Sequence, residues 1–358
     1  MERLECAILG ATGVAGQQFV AALAEHQWFR IAGLYASERS AGRNYEDATR
    51  WHLESKIPEA VAKQQIKNAF SIGEELDRYD IIFSALESDV AREIEAMCAA
   101  KKPVLSTASA FRYEEDVPII IPDTNMAHIA IIERQQRERG WQGFVLPGPN
   151  CTTVALAVAL KPLYDEFGLT NVTMVSMQAI SGAGYPGVAS LDITENVVPF
   201  IKNEEEKVRK ETVKILGALG QDRSTIQNAD FNVNCICTRV QVIDGHTEAV
   251  FVDTAKPCSP EDYKRAVREF NERFRKEFGH LPSAPRESIV IMNQEDRPQP
   301  RRDREINGGM SVCLGRIEST SACGLKFVAL SHNTKKGAAK GAVFVAECLV
   351  DKGYIKRR

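Results

Sequence analysis

The sequence predicts an α/β protein of two domains: a doubly wound, largely parallel domain, then an α+β domain built on a mostly antiparallel sheet. Three observations carry this. Strand-like and helix-like runs alternate through residue 149. A glycine-rich turn separates the very first strand from the first helix. Beyond residue 167 the strand-like runs lengthen and turn amphipathic, and helices become few. At 358 residues the chain is long enough for two cores.

The first strand spans Leu4 to Leu9. Gly10-Ala11-Thr12-Gly13-Val14-Ala15-Gly16 follows, then a helical pattern to about Glu25 and a second strand from Arg30 to Ala36. This βαβ opening sets glycines where a pyrophosphate meets a helix N-terminus, although the spacing is GxxGxxG, not GxGxxG. It is a Rossmann-like signature, and it makes Gly10, Thr12, Gly13, Val14, Ala15 and Gly16 candidate cofactor contacts. The second strand runs into Ser37-Glu38-Arg39-Ser40. Ser37, Arg39 and Ser40 suit a ribose 2′-phosphate, which favours NADP over NAD.

Residues 44–78 are polar and receive no chemistry. Strands follow at Asp80 to Leu86 and Pro103 to Ser106, with a helix from Asp89 to Ala100 between them. Small residues at their carboxyl ends, Ser84 among them, mark where a cofactor lies. A strand at Val117 to Ile121, a helix from Asn125 to Arg139 and a strand at Phe144 to Leu146 complete the domain. The second domain then shows strands at Asn171–Ile180, Phe231–Val242, His246–Thr254, Ser288–Met292, Met310–Ile317 and Leu325–Leu330. Helices run from Cys151 to Phe167, Glu204 to Leu219 and Pro260 to Phe278. A last helix, Lys335 to Val350, returns to the first domain, so 1–149 with 333–358 form the cofactor domain and 150–332 the catalytic and dimerisation domain.

Net charge is −3, so charge gives no case for a nucleic-acid or membrane-surface partner, and the basic tail Lys356-Arg357-Arg358 reads as a solvated terminus. No apolar run approaches the roughly 20 residues that span a bilayer, and the N-terminus enters a strand without a signal-peptide pattern. Nine cysteines without a CxxC fit a reduced, cytoplasmic protein with no metal. The closest pair, Cys235-Ile236-Cys237, is expected to diverge on its strand and make a poor clip.

One cysteine stands apart. In Pro147-Gly148-Pro149-Asn150-Cys151-Thr152-Thr153 the prolines and glycine fix a turn, and Asn150 caps the helix that follows. A thiol in the first helical turn is placed to become a thiolate nucleophile, stabilised by free N–H groups. Among six histidines, His246 sits after Asp244-Gly245 between two strand-like runs, as a general acid/base at a hairpin mouth would. His332 is its rival; His26, His52, His128 and His280 read as solvated.

Several motifs together resemble aspartate-semialdehyde dehydrogenase, in its archaeal and fungal branch. They are Gly10 to Gly16, Ser37 to Gly42, Pro149 to Thr153, Gln178-Ala179-Ile180-Ser181-Gly182-Ala183-Gly184, Asn203-Glu204-Glu205-Glu206-Lys207, Asp244-Gly245-His246-Thr247 and His332-Asn333-Thr334. The resemblance runs from about residue 4 to 350. It implies the two-domain architecture shared with glyceraldehyde-3-phosphate dehydrogenase, an NADP cofactor, a homodimer or homotetramer, and reduction of L-aspartyl 4-phosphate through a cysteine thioester. Residue by residue it implies Cys151 as nucleophile and His246 as acid/base, with Gln178 and Asn150 orienting. Arg239 would hold the α-carboxylate, Glu204 (or its neighbours Glu205 and Glu206) the ammonium, and Lys207 with Arg112 the phosphate. Ser181, Gly182 and Asn333 would join the cofactor contacts, and helix N–H groups beside Cys151 the oxyanion. Glu87, Gln241 and Lys340 depart from the family pattern. Two other readings stand beside this one: a reductase for a CoA thioester such as malonyl-CoA, and a catalytically silent NADP-binding sensor. The phosphate cations and the ammonium site favour the acyl phosphate.

Overall fold

A computed structural model describes residues 2–356; Met1, Arg357 and Arg358, the last two belonging to the basic tail, lie outside the described residues. The chain opens with β1 (Leu4–Leu9), α1 (Val14–Leu23) and β2 (Phe29–Ala36). Two single-turn helices follow, α2 (Tyr45–Ala48) and α3 (Glu59–Ala62), before β3 (Ile66–Asn68) and a 3₁₀ stretch over Ala69–Arg78. Next come β4 (Ile81–Ser84), α4 (Ser88–Ala99), β5 (Pro103–Ser106), α5 (Pro122–Asn125), α6 (Ile131–Arg139) and β6 (Phe144–Pro147). The six strands pair in parallel in the order β3-β2-β1-β4-β5-β6, so the strand order reverses at β1 and β4. That is a dinucleotide-binding topology, whose ligand crevice lies outside the carboxyl ends of the strands at the reversal.

Alternation along β1 explains why this sheet is apolar throughout. Leu4, Cys6 and Ile8 pack with Phe19 and Leu23 of α1, whereas Ala7 and Leu9 pack with Ile94 and Cys98 of α4. Both faces are covered, as a parallel sheet requires.

The second half begins with α7 (Cys151–Phe167), continues through β7 (Leu169–Gln178), α8 (Ser190–Ile193) and α9 (Glu204–Ile215), and adds a short hairpin of β8 (Ala218–Leu219) and β9 (Ile226–Gln227). It ends with β10 (Asn232–Arg239), β11 (His246–Thr254), α10 (Pro260–Phe278), β12 (Ile289–Ile291), α11 (Pro300–Asp303), β13 (Val312–Ser321) and β14 (Gly324–Ser331). The large sheet has the order β10-β7-β11-β14-β13-β12. Its three central pairings are antiparallel and its two outer ones parallel, so the sheet is mixed rather than simply antiparallel. Helix α7 is apolar nearly all round and lies in the core of this half, where Leu156, Leu160 and Leu163 meet Met174, Val250 and Phe327. The last helix, α12 (Ala339–Asp351), packs Val343 and Phe344 into the α1 side of the first core.

Several expectations are corrected. Val117 to Ile121 is buried but forms no strand. Pro118 has no N–H to give a ladder, and side chains claim the neighbouring backbone groups: Asn125 Oδ1 accepts from Ile121 N–H at 2.8 Å, and Asn125 Nδ2 donates to the Ile119 carbonyl at 2.8 Å. The helix expected from Asn125 to Arg139 is instead three consecutive pieces that begin earlier: α5, a 3₁₀ turn over Met126–Ala130, and α6. The polar stretch 44–78 supplies β3, a three-residue edge strand too short to show a period. Cys235 and Cys237 share a face of β10, as residues two apart on a strand do, and their thiols interact. Among the described residues no group of three or more His, Cys, Asp or Glu can hold a metal, and no helix is long and apolar enough to cross a membrane.

Candidate active site

One cavity of about 750 Å³ runs from Val14 and Ala15, at the start of α1, to Cys151. Its far wall holds Arg112, Asn150, Glu204, Lys207 and Arg239; Ser181, Gly182 and Asn333 also line it. Both halves of the molecule therefore build one site, with α7 as the link.

The thiol is placed by its cap. Asn150 Oδ1 accepts from the N–H groups of Thr152 at 2.9 Å and Thr153 at 3.2 Å, which starts α7 where the local sequence says it should. Asn150 Nδ2 donates to Glu204 Oε1 at 2.9 Å, and the Thr152 hydroxyl donates to the same oxygen at 3.2 Å. From the other side the C-terminal segment closes in: a Cβ added to Gly337 would lie 3.0 Å from Cys151 Cβ.

His246, not His332, meets the thiol. Cys151 Sγ and His246 Nε2 are 3.2 Å apart, while His332 Nε2 lies 3.1 Å from Glu305 Oε1. The N–H of Ala179 donates to His246 Nδ1 at 3.0 Å. An amide N–H can only donate, so Nδ1 is the acceptor, and a neutral ring carries its proton on Nε2, facing the sulfur. The Ala179 carbonyl accepts from Arg239 Nη1 at 2.8 Å, so a single residue after β7 holds both the imidazole and the guanidinium. Gly182 explains its own identity here, because a Cβ would stand 2.8 Å from Arg239 Nη1 and 2.9 Å from His246 Cε1.

Charge in this site differs from the thiolate expectation. Burial and then the charge of Glu204 push the Cys151 thiol up to about 12, against the opposing pull of Arg112, Arg239 and the Thr152 N–H. The Thr152 N–H pulls the thiol down while also donating to Asn150 Oδ1, and this pull together with that of the two arginines does not offset burial and Glu204. Burial, then Arg239 and His332, holds His246 down to about 3. The resting pair is a neutral thiol beside a neutral imidazole.

The cofactor end is built on absent side chains. Gly10 has φ +74°, and a Cβ there would lie 2.5 Å from the Ala85 carbonyl oxygen. A Cβ at Gly16 would lie 2.1 Å from the Gly10 carbonyl oxygen, so this glycine lets α1 pack onto β1. Gly13 is the N-cap of α1 and offers no side-chain cap; a Cβ there would meet nothing nearer than the Gly10 carbonyl oxygen at 3.5 Å. Uncapped N–H groups at a helix start whose Val14 and Ala15 line the cavity fit a pyrophosphate.

The remaining candidates divide. Asn333 Nδ2 donates to Ser181 Oγ at 2.8 Å and Asn333 Oδ1 accepts from Gly245 N–H at 2.8 Å, which ties the cavity wall to the turn before His246; that turn crosses the end of β7 and is not the expected hairpin, because β7 lies between β10 and β11. Lys207 Nζ is 3.8 Å from Glu204 Oε2. Gln178 is buried and donates to Ser176 Oγ at 3.2 Å, outside the cavity wall. Ser84 is likewise fully buried; the wall beside it is formed by Leu86, Glu87, Ser88 and Thr107 to Ser109. Thr12 stands in the glycine turn, and Ser37, Arg39 and Ser40 sit on an open loop after β2, beyond the cavity wall. His26 and His128 are buried, not solvated: His26 bonds Glu347 at 2.7 Å, and His128 Nε2 bonds the Gly217 carbonyl at 3.0 Å. Gln241 and Lys340 make their bonds elsewhere, to the Glu195 N–H and the Gly308 carbonyl. Sequence reasoning missed Ala179, which acts through its peptide groups, and Glu211, although Glu211 stands seven residues after Glu204 on the same helical face.

Residues 5–132 match the family model described as semialdehyde dehydrogenase, NAD binding domain, and residues 160–336 the one described as semialdehyde dehydrogenase, dimerisation domain. The chain is 45% identical to the aspartate-semialdehyde dehydrogenase of Archaeoglobus fulgidus, over 99% of this chain and 100% of the relative. It is 42% identical to that of Schizosaccharomyces pombe over 97% of this chain and 98% of the relative. The crystal structure of the Candida albicans enzyme with NADP superposes with a TM-score of 0.88 at 38% identity, covering 98% of this chain and 100% of that one.

Proposed function

The chain belongs to the aspartate-semialdehyde dehydrogenase family, and from that premise we propose how its own side chains divide the work. The reaction is the NADPH-dependent reductive dephosphorylation of L-aspartyl 4-phosphate to L-aspartate 4-semialdehyde, through a cysteine thioester, in the biosynthesis of lysine, threonine and methionine.

The observation that carries the assignment of roles is the 3.2 Å contact of Cys151 Sγ with His246 Nε2, beside a cavity that Arg112, Arg239, Lys207 and Glu204 line together with Cys151. Arg239 forks onto the substrate α-carboxylate and Glu204 receives the ammonium. Arg112 and Lys207 hold the phosphate. Substrate binding also activates the nucleophile: an ammonium on Glu204 cancels the negative charge that opposes thiolate formation. Sulfur then attacks the acyl carbon, the carbon–oxygen bond to phosphate breaks, and the thiol proton leaves with the phosphate. The uncapped start of α1, with Val14 and Ala15 on the cavity wall, would hold NADPH, which when bound would supply the hydride that the thioester carbon accepts. The carbon–sulfur bond then breaks, the aldehyde departs, and a proton from solvent restores the thiol. Throughout, His246 keeps Nε2–H aimed at the sulfur and donates a hydrogen bond to the negative charge that builds there when the sulfur attacks and again when the carbon–sulfur bond breaks. Asn150 and the Ala179 peptide orient this pair, and Gln178 braces the strand end behind it. At the far end Arg39, Ser37 and Ser40 receive the 2′-phosphate.

The match to a dimerisation domain makes the protein a homo-oligomer. We propose a homodimer, or a pair of dimers, joined through the outer face of the mixed sheet, where Ile236 and Phe251 stand exposed. A cytoplasmic setting suits nine free cysteines. The domain division proposed for catalysis places residues 1–149 and 333–358 around the cofactor and 150–332 around the substrate.

The direct test runs the reaction backwards. Aspartate semialdehyde should reduce NADP only when inorganic phosphate is present, and reduce NAD far more slowly. NADPH oxidation on malonyl-CoA with no activity on aspartyl phosphate would overturn the assignment.

A further inference from the structure

Helix α9 carries more of the site than its first turn. Glu204, Lys207, Glu211 and Lys214 recur at steps of three and four, so they share one helical face. The first two reach the substrate end of the cavity; the second two reach across to the first half of the molecule. Glu211 is completely buried. Its Oε2 accepts from the Asn150 backbone N–H at 2.6 Å, and its Oε1 accepts from Arg112 Nη1 at 3.2 Å and from the Tyr113 hydroxyl at 3.2 Å. One turn later, Lys214 Nζ donates to the carbonyls of Arg112 at 2.8 Å, Glu114 at 3.1 Å and Val117 at 2.8 Å. Arg112 itself has few other supports: Nη2 donates to the Thr107 carbonyl at 3.2 Å, and Nε is buried with no partner.

We propose that Glu211 is the positioning residue of this site, fixing Arg112 and the cap of the thiol helix with one carboxylate, and that Lys214 is its second anchor. The inference rests on the reading above, in which Arg112 receives the phosphate. The physical reason is geometric. The guanidinium and the Asn150 N–H bond to opposite oxygens of one rigid group, so the distance between the phosphate subsite and the sulfur is set by a planar carboxylate rather than by two independent loops. A buried guanidinium needs a charged partner to stay oriented, and Glu211 is the carboxylate it has among the described residues. Lys214 adds a clamp on the backbone of the Arg112 loop, so the position of Arg112 follows that of α9. The cofactor end shares none of these bonds.

The test is Glu211→Gln in the full-length enzyme, assayed with inorganic phosphate, aspartate semialdehyde and NADP. The KM for phosphate should rise about tenfold, as loss of a hydrogen bond to a charged group implies. The pH profile of Cys151 alkylation should shift, while the KM for NADP stays within about twofold. Lys214→Met, which keeps Glu211, should raise the phosphate KM in the same direction by a smaller factor; it decides the matter if Glu211→Gln does not fold. An unchanged phosphate KM in the folded variants, or an equal rise in the KM of all three substrates, would overturn the proposal. Arg112→Ala assayed alongside separates the two layers. If it leaves the phosphate KM unchanged, the phosphate reading of Arg112 fails; if it raises that KM and the Glu211 and Lys214 variants do not, the positioning role fails.

Discussion

Two strand–turn–helix junctions in this chain have the same topology and opposite chemistry. At β1–α1 the N-cap is Gly13, which has no side chain to offer, and the first helical residues, Val14 and Ala15, line the cavity. At β6–α7 the N-cap is Asn150, which takes the N–H groups of Thr152 and Thr153 for itself. The open terminus is left with the donors and dipole that an anion needs. The closed one commits two of its donors to the cap and sets where a sulfur stands, with its pKa raised by burial and Glu204. A single capping residue decides which kind of site a junction becomes.

The largest expected effect breaks only the closed junction. Cys151→Ala should lower turnover by a factor on the order of 10⁴ while leaving the NADPH dissociation constant unchanged by fluorescence titration. Next, Gly13→Asp would make the open junction resemble the closed one, since its carboxylate caps α1 and repels phosphate. NADPH affinity should fall by roughly thirtyfold with little loss of thermal stability. At the cofactor's outer end, Arg39→Ala should narrow the NADP-over-NAD ratio of kcat/KM by about tenfold without changing kcat. Glu204→Gln tests the charge on the closed side. Removing the negative charge lowers the Cys151 pKa, so iodoacetamide labelling should shift to lower pH and be several-fold faster at about pH 8, even as turnover is lost. The smallest effect is that of Asn150→Ala, which removes the cap. It should cost about 1 kcal/mol in denaturant unfolding and, by freeing two N–H groups, also ease thiol ionisation.

What the chain revealed before folding was what depends on neighbours in sequence. The α7 start was legible because cap, turn prolines and apolar run are adjacent, and α10 and β11 were legible because their periods are sustained over many residues. The His246 assignment needed one further fact, which of two histidines lies across the domain junction, and that is set by β11 pairing beside β7. Ser84 shows the limit of strand-end reasoning, since a strand's last residue faces core or cavity according to a one-residue change of phase. Val117 to Ile121 shows another, because an apolar run is buried whether or not it pairs. The thiolate expectation weighed the helix N-terminus alone: the Thr152 N–H does lower the thiol, but burial and Glu204, which arrives from a distant helix, outweigh it. Glu211 and the Ala179 peptide were invisible because their importance lies in what tertiary structure brings to them.

The central claim is that Cys151 forms a covalent acyl intermediate that only phosphate releases. Enzyme mixed with aspartate semialdehyde and NADP in phosphate-free buffer should give one burst of NADPH, equal to the number of active sites, and then stop, with the acyl group on the Cys151 peptide by mass spectrometry. Continuous NADPH production without phosphate, or a burst that survives in Cys151→Ala, would contradict it.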